Sequence, residues 1–245
     1  MKNLTGKKLL VISSDGSDIT FVNAARELGV YVICCDRYTD YSRSPAKEAA
    51  DEAWDIDYSD TATVAARCKK ERIDGVIAGY SEDRVLAACR ISNAIGTPFY
   101  ATEEQINITR NKRLFKELCK KYGVPTPEEY SHKLPLSPEE AAKINFPVIV
   151  KPSDSGGRKG IKVCQSGEEL LPAIEHAAAF SRSGEVVIEE YLSGLELSAV
   201  YTLADGEISL SCLNDKFPSE DGDDTSRLCD AVITPSRYYQ RYIAE

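Results

Sequence analysis

Short apolar runs alternate with amphipathic stretches through the first hundred residues. Lys8–Ile12 is an apolar run closed by the polar turn Ser13-Ser14-Asp15-Gly16, and it reads as a strand. From about Asp18, Phe21, Val22, Ala25 and Leu28 fall on one helical face, with Gly29 as the stop. Val30–Cys35 is a second apolar run ending at Asp36. A polar loop follows, then Thr61–Arg72 predicts a helix, Gly75–Ala78 a third strand, and Arg84–Ile95 a helix that Gly96 ends. Strands separated by helices pair in parallel through helical crossovers, so this region is expected to be an open α/β sheet.

From residue 102 the rhythm changes. Thr102 can cap a helix that has Glu103, Glu104 and Gln105 in its first turn, and Asn111 can cap a second helix running to Tyr122, ended by Gly123. Val124-Pro-Thr-Pro127 forces an extended connector. Next come a strand at Phe146–Val150, a loop from Pro152 to Gly160, a strand at Ile161–Cys164, a helix at Glu168–Phe180 and a strand at Val186–Tyr191. Leu195–Leu203 and Glu207–Cys212 flank Asp205-Gly206, a two-residue hairpin signal. This is an antiparallel α+β pattern, and it predicts a domain boundary near residue 100: residues 1–100 as one domain and 101–245 as another. There is no internal repeat.

Composition narrows the function. The 245 residues carry 30 Lys+Arg against 39 Asp+Glu, a net charge of -9, which argues against a general nucleic-acid or anionic-membrane binder because phosphate surfaces attract basic ones. The apolar run Leu9–Ile12 is too short for a signal-peptide core or a membrane span. The eight cysteines include no C-x-x-C pair, and neither His132 nor His176 has a cysteine at ligand spacing. They read as reduced thiols packed as small hydrophobes in a cytoplasmic protein.

Four constellations could carry chemistry. Ser13–Asp18 followed by Asp36 has the spacing of a dinucleotide fold, but the turn offers one glycine where G-x-G-x-x-G needs three. Lys151-Pro-Ser-Asp-Ser-Gly-Gly-Arg-Lys-Gly160 sets a lysine at the end of a strand before a Gly-rich loop. Its backbone N–H groups can approach phosphate oxygens while Lys151, Arg158 and Lys159 offset the charge. It is not a Walker A loop, and a solvated basic hairpin reads the same way. Val187-Ile-Glu-Glu-Tyr-Leu192 with Glu196 sets carboxylates at strand ends. These are either ordinary surface charges or a strand edge for an adenine with a ribose-binding glutamate. Lys112 opens a helix, where the helix dipole disfavours a cation, and a phosphate shared with Lys151 would explain it.

In order and spacing, Asn111-Lys112…Gly123-Val-Pro-Thr-Pro127, Phe146-Pro-Val-Ile-Val-Lys-Pro152 with its loop, Val187-Ile-Glu-Glu-Tyr-Leu192 and Gly194-Leu-Glu196 resemble the ATP-grasp superfamily. The resemblance is to the members related to carbamoyl phosphate synthetase, biotin carboxylase and D-alanine–D-alanine ligase, and it covers nearly the whole chain. It implies a Rossmann-like pre-ATP-grasp α/β domain followed by an α+β ATP-grasp domain. It further implies that Lys112 and Lys151 contact ATP phosphates, with Lys151 also near the adenine. Gly156, Gly157 and Lys159, within the stretch to Gly160, would close over the triphosphate. Glu189, Glu190, Tyr191 and Leu192 would form the hinge strand along the adenine, Glu196 would bind the ribose, and Lys216 would face the nucleotide. Glu190 departs from the pattern, since some relatives have a lysine there.

The implied reaction activates a carboxylate as an acyl phosphate, which an amine or other nucleophile captures, with ATP and Mg2+ required and no covalent nucleophile on the protein. Partners would be a small carboxylate, sought near Ser13–Asp18 and Ser81-Glu-Asp83, and a nucleophile; relatives are often dimers, which leaves a homodimer open. The family's magnesium ligands lie beyond the ribose glutamate, so the ATP-grasp domain is expected to lack its C-terminal part. The chain would then be a truncated ligase or half of a split one. The acidic loop Glu220-Asp-Gly-Asp-Asp224 lacks the twelfth-position glutamate of a calcium loop. The rival reading is a non-catalytic nucleotide-binding or regulatory module that ends naturally at residue 245.

Overall fold

The computed structural model describes residues 3–13, 15–131, 136–218 and 229–244. The chain forms two compact units, Met1–Arg110 and Asn111–Glu245.

The first unit is a four-stranded parallel sheet in the order β3-β2-β1-β4, with β1 Lys8–Ile12, β2 Tyr31–Asp36, β3 Glu52–Asp55 and β4 Gly75–Ala78. Side chains alternate between its faces, so neighbouring residues enter different cores. Val11, Val32 and Cys34 pack with Val22 and Ala25 of α1 (Ile19–Glu27) and Ala46 of α2 (Ala46–Ala49). Leu10, Ile12, Ile33, Cys35 and Trp54 pack with Val64 and Cys68 of α3 (Thr61–Glu71) and Ala88 and Ile91 of α4 (Glu82–Ile95). Covering both faces explains why the first two strands read as unbroken apolar runs. Burial pushes the Cys34 and Cys35 thiols up to about 12, so both behave as packing groups. The stretch expected to be a polar loop holds both α2 and β3. This edge strand buries one large side chain, Trp54, and so shows no apolar run.

Helix α5 (Glu103–Arg110) belongs to this unit: Arg110 pairs with Glu82 and Asp83 of α4. Thr102 and Gln105 cap it reciprocally, Thr102 Oγ1 accepting from the Gln105 N–H and Gln105 Oε1 from the Thr102 N–H.

The second unit begins with α6 (Lys112–Lys121) and contains two antiparallel sheets. One has the order β5-β8-β6-β7, from β5 Glu129–Ser131, β6 Val148–Pro152, β7 Lys162–Cys164 and β8 Val186–Glu190. Helix α8 (Gly167–Phe180) packs Leu170, Ala173, Ile174 and Ala177 against its Val148, Val150, Val186 and Ile188; the short α7 (Pro138–Ala141) precedes β6. The other sheet has the order β11-β10-β9, from β9 Glu196–Ala204, β10 Glu207–Pro218 and β11 Cys229–Ile233, followed by α9 (Tyr239–Ala244). Asp205 and Gly206, both with positive φ (52° and 83°), make the β9–β10 hairpin turn.

Candidate functional site

The site is built on α6, β6, β8 and the loop after β6. Asn111 caps α6 by accepting from the backbone N–H groups of Arg113 and Leu114, which fixes the start of the helix and the origin of the Lys112 side chain. Two bonds then tie Lys112 to the base of the Gly-rich loop: its N–H donates to Ser153 O at 2.9 Å and its ammonium to Ser155 O at 2.7 Å.

The loop is anchored at both ends. Ser153 donates its N–H to Glu185 O, and the Asp154 carboxylate accepts from Ser181 Oγ and from the N–H groups of Arg182 and Ser183. Burial pushes the Asp154 carboxyl up, but these hydrogen bonds outweigh it and leave it below the usual carboxylate range. At the far end Gly160 (φ +73°) sits where a Cβ would lie 2.8 Å from Phe180 Cβ and 2.9 Å from Pro152 Cγ. Between the anchors, Gly156 and Gly157 have open space around them, and 156–159 are exposed. A cationic loop with exposed backbone amides, set between Lys112 and Lys151, is suited to an extended phosphate chain.

Lys151 lies on β6 one residue before the strand's end, directly opposite Val187 of β8. Its ammonium pairs with Glu189, whose residue is 4% exposed. The other oxygen of Glu189 accepts from Lys116 at 2.5 Å, and Lys116 also lies 3.4 Å from Glu129. Sequence reading passed over Lys116, because a lysine between Phe115 and Leu118 on a strongly amphipathic helix reads as a solvated charge. The one available signal was its position one helical turn after Lys112.

Glu190 bonds backward to the connector: its N–H donates to Glu128 O, and its Oε1 accepts from the Glu128 N–H. The Tyr191 N–H donates to Pro147 O, and Leu192 is exposed. Glu196 and Lys216 face each other across β9 and β10 and form an ion pair. Thus Lys112, Gly156, Gly157 and Lys159 share the loop and its base, and Lys151 joins Glu189. Glu196 and Lys216 form a separate pair on the other sheet. The acidic stretch 220–224 lies outside the described residues, and among the described residues no group of three His, Cys, Asp or Glu side chains could hold a metal ion.

In the first unit, Ser13 at the carboxyl end of β1 holds φ 98°, unusual for a side-chain-bearing residue. A cavity of about 120 Å³ there is lined by Ser13, Asp36, Tyr38, Asp57, Tyr58 and Arg84 together with Arg37. Asp36, at dinucleotide spacing, accepts from Ser44 Oγ, the Tyr38 N–H and the fully buried Lys47 ammonium, which account for it without a ribose. Ser81, Glu82 and Asp83 do not line the cavity; Ser81 is the N-cap of α4.

The family described as D-ala D-ala ligase C-terminus matches residues 118–220, from α6 to the end of β10. The formate-dependent phosphoribosylglycinamide formyltransferase of Bacteroides thetaiotaomicron is 30% identical over 190 residues, 76% of this chain and 48% of that protein. The chain belongs to the ATP-grasp superfamily. Another ATP-grasp relative, the phosphoribosylamine–glycine ligase of Fusobacterium nucleatum, is 30% identical over 72% of this chain and 43% of its own length. Among solved structures, the biotin carboxylase domain of the Hydrogenobacter thermophilus 2-oxoglutarate carboxylase, crystallised with MgADP, ADP and bicarbonate, superposes with a TM-score of 0.73 at 26% identity. The match covers 85% of this chain and 50% of that one. An ADP complex of N5-carboxyaminoimidazole ribonucleotide synthetase gives a TM-score of 0.78 at 20% identity over 98% of this chain and 62% of that one, a likeness of fold. This ATP-grasp chain thus spans about half the length of the relatives it matches.

Proposed function

We propose that the chain is the ATP-binding portion of an ATP-grasp ligase that activates a carboxylate as an acyl phosphate for capture by an amine or another nucleophile. The observation that carries this is the pair of bonds from Lys112 to Ser153 and Ser155. They set one lysine at the base of the Gly-rich loop, whose other flank is β6 with Lys151. In this reading Lys112 and Lys151 take the phosphates, and the amides of Gly156, Gly157 and Lys159 close over them. Glu189 through Leu192 run along the adenine, Glu196 takes the ribose, and Lys216 shares that side. The donor set fits a nucleotide, with cations and backbone N–H groups for anionic oxygens and a carboxylate for hydroxyl hydrogens.

Phosphoryl transfer asks the protein mainly to position and neutralise, so none of these residues acts as a nucleophile. Magnesium, when bound with the nucleotide, supplies charge stabilisation at the phosphate oxygens. No described residue set holds it, and no step here depends on one. The carboxylate is assigned to the cavity around Ser13 and Arg84, at the carboxyl end of a parallel sheet. With eight free cysteines, the chain suits a reducing cytoplasm, and we take it to work there, as a monomer or a homodimer.

Calorimetric titration of ADP and ATP, with and without Mg2+, tests the reading. Dissociation constants on the order of micromolar to millimolar are expected for the unaltered chain, weakened at least about tenfold by Lys151→Ala. Equal affinity in the variant would remove Lys151, and the site with it.

A further inference from the structure

Both ends of the Gly-rich loop rest on one short segment, residues 180–183, where α8 ends. At the exit, Gly160 packs directly on Phe180, the last residue of α8, and leaves no room for a Cβ. At the entry, the Asp154 carboxylate accepts from Ser181 Oγ at 2.8 Å and from the N–H groups of Arg182 and Ser183 at 3.0 Å each. Beside it, the buried Ser153 donates its N–H to Glu185 O at 3.0 Å, and the Ser153 and Ser183 hydroxyls meet at 3.3 Å. The exposed stretch 156–159 is thus suspended between two attachments to the same turn.

By charge alone, a carboxylate at residue 154 opposes any anion that the loop receives. What it supplies instead is the clasp. Its neighbours are held without it, Ser153 by Glu185 and Ser155 by the Lys112 ammonium. With the carboxylate gone, the backbone of residue 154 gains freedom, and that freedom is lost again each time the loop closes on a ligand. We propose that Asp154 is a positioning residue of the nucleotide site, pinning the loop's entry to the turn after α8 so that little besides 156–159 reorders around a polyphosphate. This rests on the nucleotide-binding reading above. Charge and positioning predict opposite signs. A residue acting only as a charge would, on removal, tighten nucleotide binding; a residue that positions the loop weakens it.

The test is ADP titration by calorimetry on the full chain, with melting followed by circular dichroism. Limited trypsin digestion, read by mass spectrometry for cuts after Arg158 and Lys159, reports on the loop itself. Asp154→Ala should weaken ADP binding about tenfold, the cost of ordering one more residue, and speed cutting of the nucleotide-free loop about threefold. Asp154→Asn keeps one acceptor oxygen and should fall between this variant and the unaltered chain. Ser181→Ala removes one partner and should weaken binding about threefold; joined to Asp154→Ala it should add nothing, because that bond is already gone. Tighter binding by Asp154→Ala would overturn the proposal, and so would a lower melting midpoint with affinity and cutting rate unchanged. A double variant weaker than Asp154→Ala by about threefold would show two independent effects and overturn it too. Should Asp154→Ala not fold, Ser181→Ala decides by itself, and unchanged affinity counts against the idea. Failure of the unaltered chain to bind ADP removes the nucleotide reading and this inference together. Binding by the unaltered chain with no response in any variant removes the inference alone.

Discussion

At Gly160 two constraints meet in one residue. Its φ of +73° lies in the left-handed region, and an added Cβ would fall 2.8 Å from Phe180 Cβ and 2.9 Å from Pro152 Cγ. Neither neighbour can yield cheaply, because one contact is a Cβ on α8 and the other a proline ring in β6. Gly160→Ala should cost about 2–4 kcal/mol, the left-handed strain plus overpacking. Gly157 is the control: its φ is +66° but it has open space around it, so Gly157→Ala should cost only the strain, about 1–2 kcal/mol. Urea denaturation of both variants separates the two contributions, and equal losses would discredit the packing argument. Asp15 in the first unit allows a test by pH. A hydrogen bond from Arg84, helped by Ser17, lowers its pKa to about 2 from the ordinary 3.8. A carboxyl whose pKa is lower in the folded state adds stability above its unfolded pKa and loses it as pH falls through the folded one. The contribution of Asp15 is therefore full above pH 4 and disappears toward pH 2. It is modest in size because the side chain is 44% exposed. Acid titration of Asp15→Asn should show a shallower loss of stability in that window than the unaltered chain; identical slopes would mean that Arg84 does not hold Asp15.

Helix α6 shows how one element can position chemistry by its capping. The Asn111 side chain accepts from two N–H groups of the first turn, and the Lys112 ammonium leaves from that turn toward Ser155. Asn111→Ala should lower stability by about 1 kcal/mol. Because the fraying turn carries Lys112, it should also weaken ADP binding, whereas Asn111→Asp, which still caps, should keep the stability. A stability loss with no change in affinity would show that Lys112 does not depend on its cap. The capped helices and strands buried on both faces were legible in the sequence because their signals are local: the caps Thr102 and Asn111, the run Lys8–Ile12 and the Asp205-Gly206 turn each lie within a few residues. Strands β3, β5 and β11 were not legible. Each is short and lies at a sheet edge, where one partner strand and a few side chains define it, and for β5 that partner, β8, is also distant in the chain. The same locality explains the site. The lysines that flank the Gly-rich loop stand out beside their motifs, whereas Lys116 gains meaning only from Glu189, 73 residues away.

Each unit of the chain has its own core. The two clusters that line the parallel sheet draw on residues of the first unit alone, and the cluster under α8 draws on the second. A ligand that binds only folded protein stabilises the unit that holds it, by about 2.7 kcal/mol at a hundred times its dissociation constant. The proposed nucleotide site lies wholly in the second unit, so ADP should strengthen that unit and leave the first unchanged. The sequence supplies the probe, since its single tryptophan, Trp54, is fully buried in the first unit's core beneath the Arg67 guanidinium. Denaturation followed by Trp54 fluorescence should keep its midpoint when ADP is added. Hydrogen exchange of the β6 and β8 amides should meanwhile slow by up to about a hundredfold, the same free energy read as protection. If the Trp54 midpoint rises with ADP as far as the second unit's protection does, the two units unfold as one. If neither responds, the nucleotide does not bind the second unit, and the lysines and loop of α6 and β6 need another ligand.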